Sequence, residues 1–335
     1  MPLAPDRFRL AAWILSAISL YLILQLHMLP ALLAGLLVYQ LVHIVAPFFA
    51  ARLSNERAKL AAVALLGTVV IGATVTGVML IVAFFRSDAG SVADLGQRLA
   101  EIIERARETL PGWLEAYLPP QDAGLQATVV HWLREHSQDV QLAGRGALRG
   151  LAHALLGMII GAMIALHEAC PDTTHPPLAA ALLERSCRLG EAFRRIVFAQ
   201  VRISTINTGL TALYLGVALP LLGIHLPLIK TMIAFTFIAG LLPVLGNLIS
   251  NTVIVVISLA HSVELGAASL AFLIAIHKLE YFLNAHIIGS RISARAWELL
   301  LAMLALEAAF GIPGLVAAPI YYAYLKDELH GAGWI

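Results

Sequence analysis

The sequence predicts an all-α polytopic membrane protein with about six full transmembrane spans plus two re-entrant, broken helical hairpins; eight plain spans are the alternative. Three observations predict it. Of 335 residues, 60% are hydrophobic and 13% charged, and the mean hydropathy is +0.84, whereas a soluble domain carries roughly a quarter charged residues. Apolar runs of about 20 residues recur, each long enough to cross about 30 Å of hydrocarbon. Two C-terminal apolar stretches, 229–260 and 299–325, are broken mid-way by Pro243-Val244-Leu245-Gly246-Asn247 and by Gly311-Ile312-Pro313-Gly314. Proline removes a backbone donor and clashes with the preceding turn, and glycine costs about 1 kcal/mol in a helix interior.

The N-terminal part, 1–85, holds three spans, roughly 10–29, 30–50 and 60–85. Arg7 and Arg9 ahead of the first run resemble the start of a signal peptide. The run is long for that purpose and no small-x-small cleavage site follows, so it reads as a retained span. Arg52, Arg57 and Lys59, opposed by Glu56, place the loop after the second span and the N-terminus in the cytoplasm. Residues 86–146 form a polar, extracytoplasmic helical insertion. Ser91 and Asp94 give a capping-box pattern ahead of a helix striped by Leu95, Leu99 and Leu110. Pro119 and Pro120 stop that helix, and Asp122 can cap a second. The expected form is a helical hairpin standing on the membrane, its stripe against the body or a neighbouring subunit of a homo-oligomer. A substrate-capture domain is the other reading.

The fourth span, 147–168, returns to the cytoplasm, where His167, Glu168, Cys170, Asp172 and His175 crowd together. Their spacing matches no zinc pattern and reads as a hydrated helix end. Segment 169–202 is an amphipathic, arginine-rich cytoplasmic helix that either lies among the headgroups or packs on the membrane domain. The two cysteines, Cys170 and Cys187, both fall there and are expected to be reduced.

Within 203–326, charge sets the topology. The fifth span, 203–222, carries Asn207, Thr208 and Thr211; the sixth is 264–283. The loop 284–297 contains Arg291 and Arg295 without an acid and should be cytoplasmic, while 223–228 lacks any lysine or arginine and should be external. A single crossing by the first broken stretch would put those arginines outside. A hairpin that enters and leaves externally keeps them inside. The same logic makes 299–325 a hairpin entering from the cytoplasm, with 327–335 a cytoplasmic tail. The result is an inverted repeat of span plus hairpin, with tips near the midplane, as at secondary-transport sites.

Ionisable and polar groups in this part are the candidate site. Glu307 lies four residues before Gly311 in an apolar run, suiting it to carry a proton or meet a cation, unless it pairs with a basic side chain. Glu280 sits near Lys278 at the cytoplasmic end of the sixth span, where a structural ion pair is the plainer reading. Asn247, Ser250 and Asn251 at the first tip offer neutral donors and acceptors to a hydroxyl-rich solute, and Asn207 either joins them or glues spans together. Carbonyls freed near Pro243 and Pro313, with Gly246, Gly311 and Gly314 beside them, are candidate sodium ligands. Gly35, Gly67, Gly72 and Gly77 are expected to allow close helix packing. No cofactor is implied beyond a coupling ion, Na+ or H+. The net charge of +1 gives no basic surface for nucleic acid. No nucleotide-binding loop, nucleophile elbow or His-Glu-x-x-His is present, so enzymatic chemistry is not expected.

The stretch 198–326 resembles the autoinducer-2 exporter family of bacterial permeases. The segment 237–250, with its Leu-Pro-Val-Leu-Gly-Asn-Leu-Ile core, is similar to the family's Ile-Pro-x-Ile-Gly-Pro segment, with Asn247 in place of proline. Glu280 to Gly289, followed by Arg291, is similar to Glu-x-x-x-Leu-x-Pro-x-Ile-x-Gly, with His286 where proline is common. Phe310 to Pro319, reading Phe-Gly-Ile-Pro-Gly-Leu-Val-Ala-Ala-Pro, is similar to the C-terminal signature. The resemblance implies an inner-membrane transporter. Some members are linked to export of the furanone-type signal autoinducer-2, others to sodium or lithium exchange against protons. Three expectations stand: a permease for a small polar solute, a monovalent cation/proton antiporter, and a non-transporting membrane assembly or channel-like protein.

Overall fold

The computed structural model describes residues 7–50, 55–86, 137–167, 176–226, 229–241, 245–259, 261–287 and 296–334. The predicted insertion therefore lies almost wholly outside the described residues, as do Pro243 and, of the polar cluster 167–175, all but His167. The elements are helical, with no strand among the described residues. Four helical stretches are long and apolar enough to cross a membrane: Arg7–Gln25, Leu29–Ala50, Gly144–Leu166 and Pro177–Leu221. The predicted third and sixth spans fall on single helices of 32 and 25 residues. A helical membrane protein is the architecture these lengths support.

The chain forms two compact units. The first comprises Met1–Thr76, Leu142–Ile196 and Ser293–Ile335; the second comprises Gly77–Gln141 and Val197–Ile292. The two broken stretches that the sequence groups together thus belong to different units.

In the first unit, α1 (Arg7–Gln25) and α2 (Leu29–Ala50) are joined by a three-residue turn. His27 takes φ 56°, the left-handed conformation. Its N–H bonds Leu24 O at 3.1 Å, and Met28 N–H bonds Ile23 O at 2.9 Å. This is the paired closure that satisfies the last carbonyls of a helix, here with histidine where glycine is usual. Helices α3 (Asn55–Arg86) and α4 (Ser137–Leu166) pack on α2. Val38, Val42 and Ala46 of α2 meet Ala62 and Ala165 in a buried cluster.

The contact between α2 and α4 is backbone against backbone. A Cβ on Gly157 would lie 2.0 Å from Ala31 O, and one on Gly161 would lie 2.1 Å from Gly35 O. Gly35 therefore does serve close packing, whereas a Cβ on Gly67 or Gly72 meets nothing within 4 Å among the described residues. The i,i+4 pair Gly157-x-x-x-Gly161 is the small-residue motif of close helix packing in membranes, and the sequence reading, which named other glycines, passed over it.

Helix α5 (Pro177–Leu213) begins in this unit, where Ala192 packs with Ala323 and Tyr324 and with the flank of Leu20. So 177–196 packs along α1 rather than standing apart from it. Helices α9 (Ala296–Phe310) and α10 (Ile312–Gly331) complete the unit as a hairpin. The chain reverses at Gly311, whose φ of 64° and ψ of −147° suit glycine alone. That they fold back is fixed by the Glu298 carboxylate, which accepts from Lys326 Nζ at 2.7 Å and from the Tyr322 hydroxyl at 2.5 Å. A Cβ on Gly314 would lie 1.9 Å from Leu306 O, so the two arms touch at the tip.

In the second unit, α5 passes into a π-helical turn, Tyr214–Ala218, ahead of Pro220. Proline lacks an N–H and clashes with the carbonyl four residues back, so a widened turn before it relieves both defects. Helices α6 (Ile229–Gly240), α7 (Leu245–Leu259) and α8 (Val263–Ile287) follow. Met232 and Ile254 join Leu215, Leu219, Leu265 and Leu273 in one buried cluster. At the α6–α7 tip a Cβ on Gly246 would lie 1.9 Å from Ala239 O, so the first turn of α7 rests on the last turn of α6.

Candidate functional site

A stripe of polar side chains runs down one face of α5 into the π turn: Gln200, Ser204, Asn207 with Thr208, Thr211 and Tyr214. The spacing of four and three keeps them on one side of the helix. Ser204, Asn207 and Thr211 are buried, at 1%, 4% and 1% exposure. What they face is the broken helix. Gln200 Nε2 donates to Gly240 O at 2.6 Å, and Ser204 Oγ donates to Phe237 O at 2.7 Å. A helix end leaves its last carbonyls without intrahelical donors, and two of those at the end of α6 are satisfied by side chains of α5. Gly240 must stay small for this, since a Cβ there would lie 2.6 Å from Ser204 Oγ.

Across the tip, Asn207 Nδ2 donates to Asn247 Oδ1 at 2.8 Å. Ser250, fully buried, bonds Asn247 O at 3.5 Å. Farther along, the Tyr214 hydroxyl lies 2.9 Å from Ser269 Oγ, which donates to Ser258 Oγ at 2.8 Å, and the Tyr214 ring stacks on Phe272. The middle of the seam is left short of partners. Asn207 Oδ1, Thr208 Oγ1 and Thr211 Oγ1 are buried without a hydrogen bond. Threonine hydroxyls in these helices otherwise bond the carbonyl four residues back, as Thr205 and Thr236 do. Each buried orphan costs about 1–3 kcal/mol, so three in a row need a reason.

Of the residues the sequence singles out, Asn207, Gly246, Asn247 and Ser250 come together in this seam, and Asn251 sits half-buried one turn further along α7. Glu280 falls on α8, and its side chain lies outside what is described. Glu307, Gly311, Pro313 and Gly314 lie at the α9–α10 tip in the other unit. Glu307 is exposed on that unit, while its backbone carbonyl accepts from Gly311 N at 2.6 Å. Gly311 O likewise accepts from Leu315 N at 3.1 Å. Around both tips, then, the carbonyls of Phe237, Gly240, Glu307 and Gly311 are already engaged by protein donors. Sequence reasoning missed Gln200, Ser204, Tyr214, Ser258 and Ser269. The heptad-like spacing on α5 carried the signal for the first three.

The first unit holds a charged cluster where α10 ends against α5 and α1. Glu328, 6% exposed, accepts from Trp13 Nε1 at 2.9 Å and from Arg188 Nη1 at 3.2 Å, with Arg185 Nη2 at 3.5 Å. Glu184 pairs with Arg185 at 2.8 Å and Arg188 at 2.6 Å, and Arg195 pairs with Asp327. Burial raises the Glu184 carboxyl, but the hydrogen bond and charge of Arg185, with Arg188 beside it, hold it below the usual carboxylate range. Hydrogen bonds from Arg194 hold Glu191 low against its own burial. The cluster ties three helices together and reads as a structural clamp, although Arg185 Nε, Arg195 Nε and Glu328 Oε1 are, like the seam oxygens, buried without a hydrogen bond. Among the described residues no group of three or more histidine, cysteine or acidic side chains is placed to hold a metal. Comparison with protein-family models, with curated proteins and with solved structures finds no match.

Proposed function

We propose that this chain is a secondary transporter, a permease or exporter of a small polar solute such as autoinducer-2, acting in the bacterial inner membrane with both termini cytoplasmic. The observation that carries the reading is the seam of α5, where three neutral oxygens are buried without partners beside the facing ends of α6 and α7. Non-helical backbone at bilayer depth is tolerated where it lines protein or a polar cavity. Neutral hydroxyl and amide groups suit a hydroxyl-rich solute that brings its own donors and acceptors. The arms of the first break support a re-entrant arrangement there: α6 and α7 have 12 and 15 residues, roughly 18 and 22 Å, short of the ~30 Å core. The resemblance of 198–326 to autoinducer-2 exporters points the same way.

Cation/proton antiport has less behind it. The acid it would need, Glu307, is exposed, and the tip carbonyls described above are engaged.

The test is flux in proteoliposomes loaded with autoinducer-2 or a panel of small polyols, with and without sodium and proton gradients. Saturable flux of a hydroxylated solute, lost in Thr211→Val and Asn207→Leu proteins that still melt normally, is expected. Unaltered flux in both variants would overturn the site.

A further inference from the structure

The first unit carries a second feature that the seam does not use: an open groove of about 850 Å³ floored by α2, with α4 as one wall and α5 as the other. On α2 it is lined from Ala31 to Ile44, thirteen residues apart and so roughly 20 Å at helical rise. A groove of that length is too long for a compact solute, and lipid is the extended apolar molecule that surrounds a membrane-spanning chain. It fits extended alkyl chains.

Its two walls differ in chemistry. The α4 wall is apolar, with Gly157, Ile160, Gly161 and Ile164. The α5 wall presents Glu184, Arg188, Glu191 and Arg194, two charges of each sign. Gln40 Nε2, donating to Gly190 O at 2.9 Å, pins this wall to the floor. The half-exposed pair of Arg194 with Glu191 is bidentate, at 3.0 and 2.6 Å, and faces the groove with cation and anion side by side.

We infer that this groove binds one zwitterionic phospholipid with a primary amine, the phosphoethanolamine type, its phosphate on Arg194, its ammonium on Glu191 and its chains along α4. An ammonium with three N–H donors satisfies carboxylates. A trimethylammonium has no donor to give a carboxylate, although Tyr39 and His43 on the floor offer it aromatic faces. A purely anionic headgroup would meet Glu184 and Glu191 as like charges. The inference rests on the chain lying in a bilayer and is independent of which solute it carries.

The test uses the full-length protein, delipidated in detergent and titrated with phosphatidylethanolamine, phosphatidylcholine and phosphatidylglycerol, with retained lipid read by native mass spectrometry. Phosphatidylethanolamine should bind about tenfold more tightly than either of the others, the order of one charge-assisted hydrogen bond. Glu191→Gln, which alters an exposed pair and leaves the fold standing, should erase most of that preference. Ile164→Trp, filling the apolar wall, should weaken all three lipids alike. Equal affinity for the three headgroups, a preference for phosphatidylglycerol, or a preference unchanged in Glu191→Gln would each overturn the proposal. Because the readout is lipid retention, it can fail while solute flux through the seam persists, or persist while flux fails.

Discussion

Two classes of glycine in the first unit have opposite consequences, and they are easily confused in a sequence. At Gly157 and Gly161 the missing side chain is replaced by the backbone of α2, so even a methyl group must push two helices apart. Gly157→Ala or Gly161→Ala should lower stability by about 1–3 kcal/mol, the usual penalty for overpacking. At Gly67 the same substitution meets nothing within 4 Å among the described residues. There it removes unfolded-state freedom and should raise stability by about 0.4–1 kcal/mol. Thermal melts of the three variants in one detergent check the pair of expectations, and a Gly157→Ala protein as stable as Gly67→Ala would refute the packing argument. Periodicity alone could not separate these glycines, because it reports which residues share a face and not what lies opposite. The same limit applies to Asn207. Its place in an apolar span was legible, but its bond to Asn247, forty positions on, follows from the path of the chain at the break.

At the scale of elements, α5 is the informative helix. It is 37 residues long, roughly 55 Å at helical rise and well beyond the ~30 Å of a bilayer core. Its N-terminal half carries charges and its C-terminal half the neutral seam. The sequence shows this division in composition, which is why the amphipathic and spanning segments separate at about residue 202. It does not show that one helix runs through both, since no breaker was needed to join them. The charged half predicts an acid response. Glu184 and Glu191 titrate below their ordinary value in the folded chain. They therefore add stability above the unfolded carboxylate value of about 4.3, and that contribution is lost as pH falls through the lowered folded values. The melting temperature should fall as pH drops below about 4.3, and Glu184→Gln should flatten that fall. A slope unchanged in the variant would place the acid sensitivity elsewhere. The neutral half should show no such response: Thr211→Val, which replaces a buried orphan hydroxyl with a methyl, should be neutral or slightly stabilising while abolishing flux. Stability gained with activity lost is the expected mark of a site held under-satisfied.

For the whole molecule, helix length bears on how often the chain crosses the membrane. The Glu298 contacts with Tyr322 and Lys326 make α9 and α10 arms of one hairpin. The Gly246 contact with Ala239 makes the tip of α6 and α7 equally tight. A re-entrant hairpin, as proposed, returns to the side it left and changes no topology, whereas two full crossings would need arms of about 20 residues, a length that α10 reaches and α9 does not. Arms of 12 and 15 residues at the first break are too short for that. Single-cysteine variants on a Cys170→Ser, Cys187→Ser background test the consequence. Cysteines at Ser54, Arg291 and His330 should all react with a membrane-impermeant maleimide from the cytoplasmic side, and one at His225 from the external side. The arginines near 291 would then obey the positive-inside rule without a further span. Labelling of the 291 position from outside alone would require α6 and α7 to cross as one rod. Such a rod cannot coexist with Gly246 resting on Ala239, so that result would overturn both the hairpin and the site built around its tip.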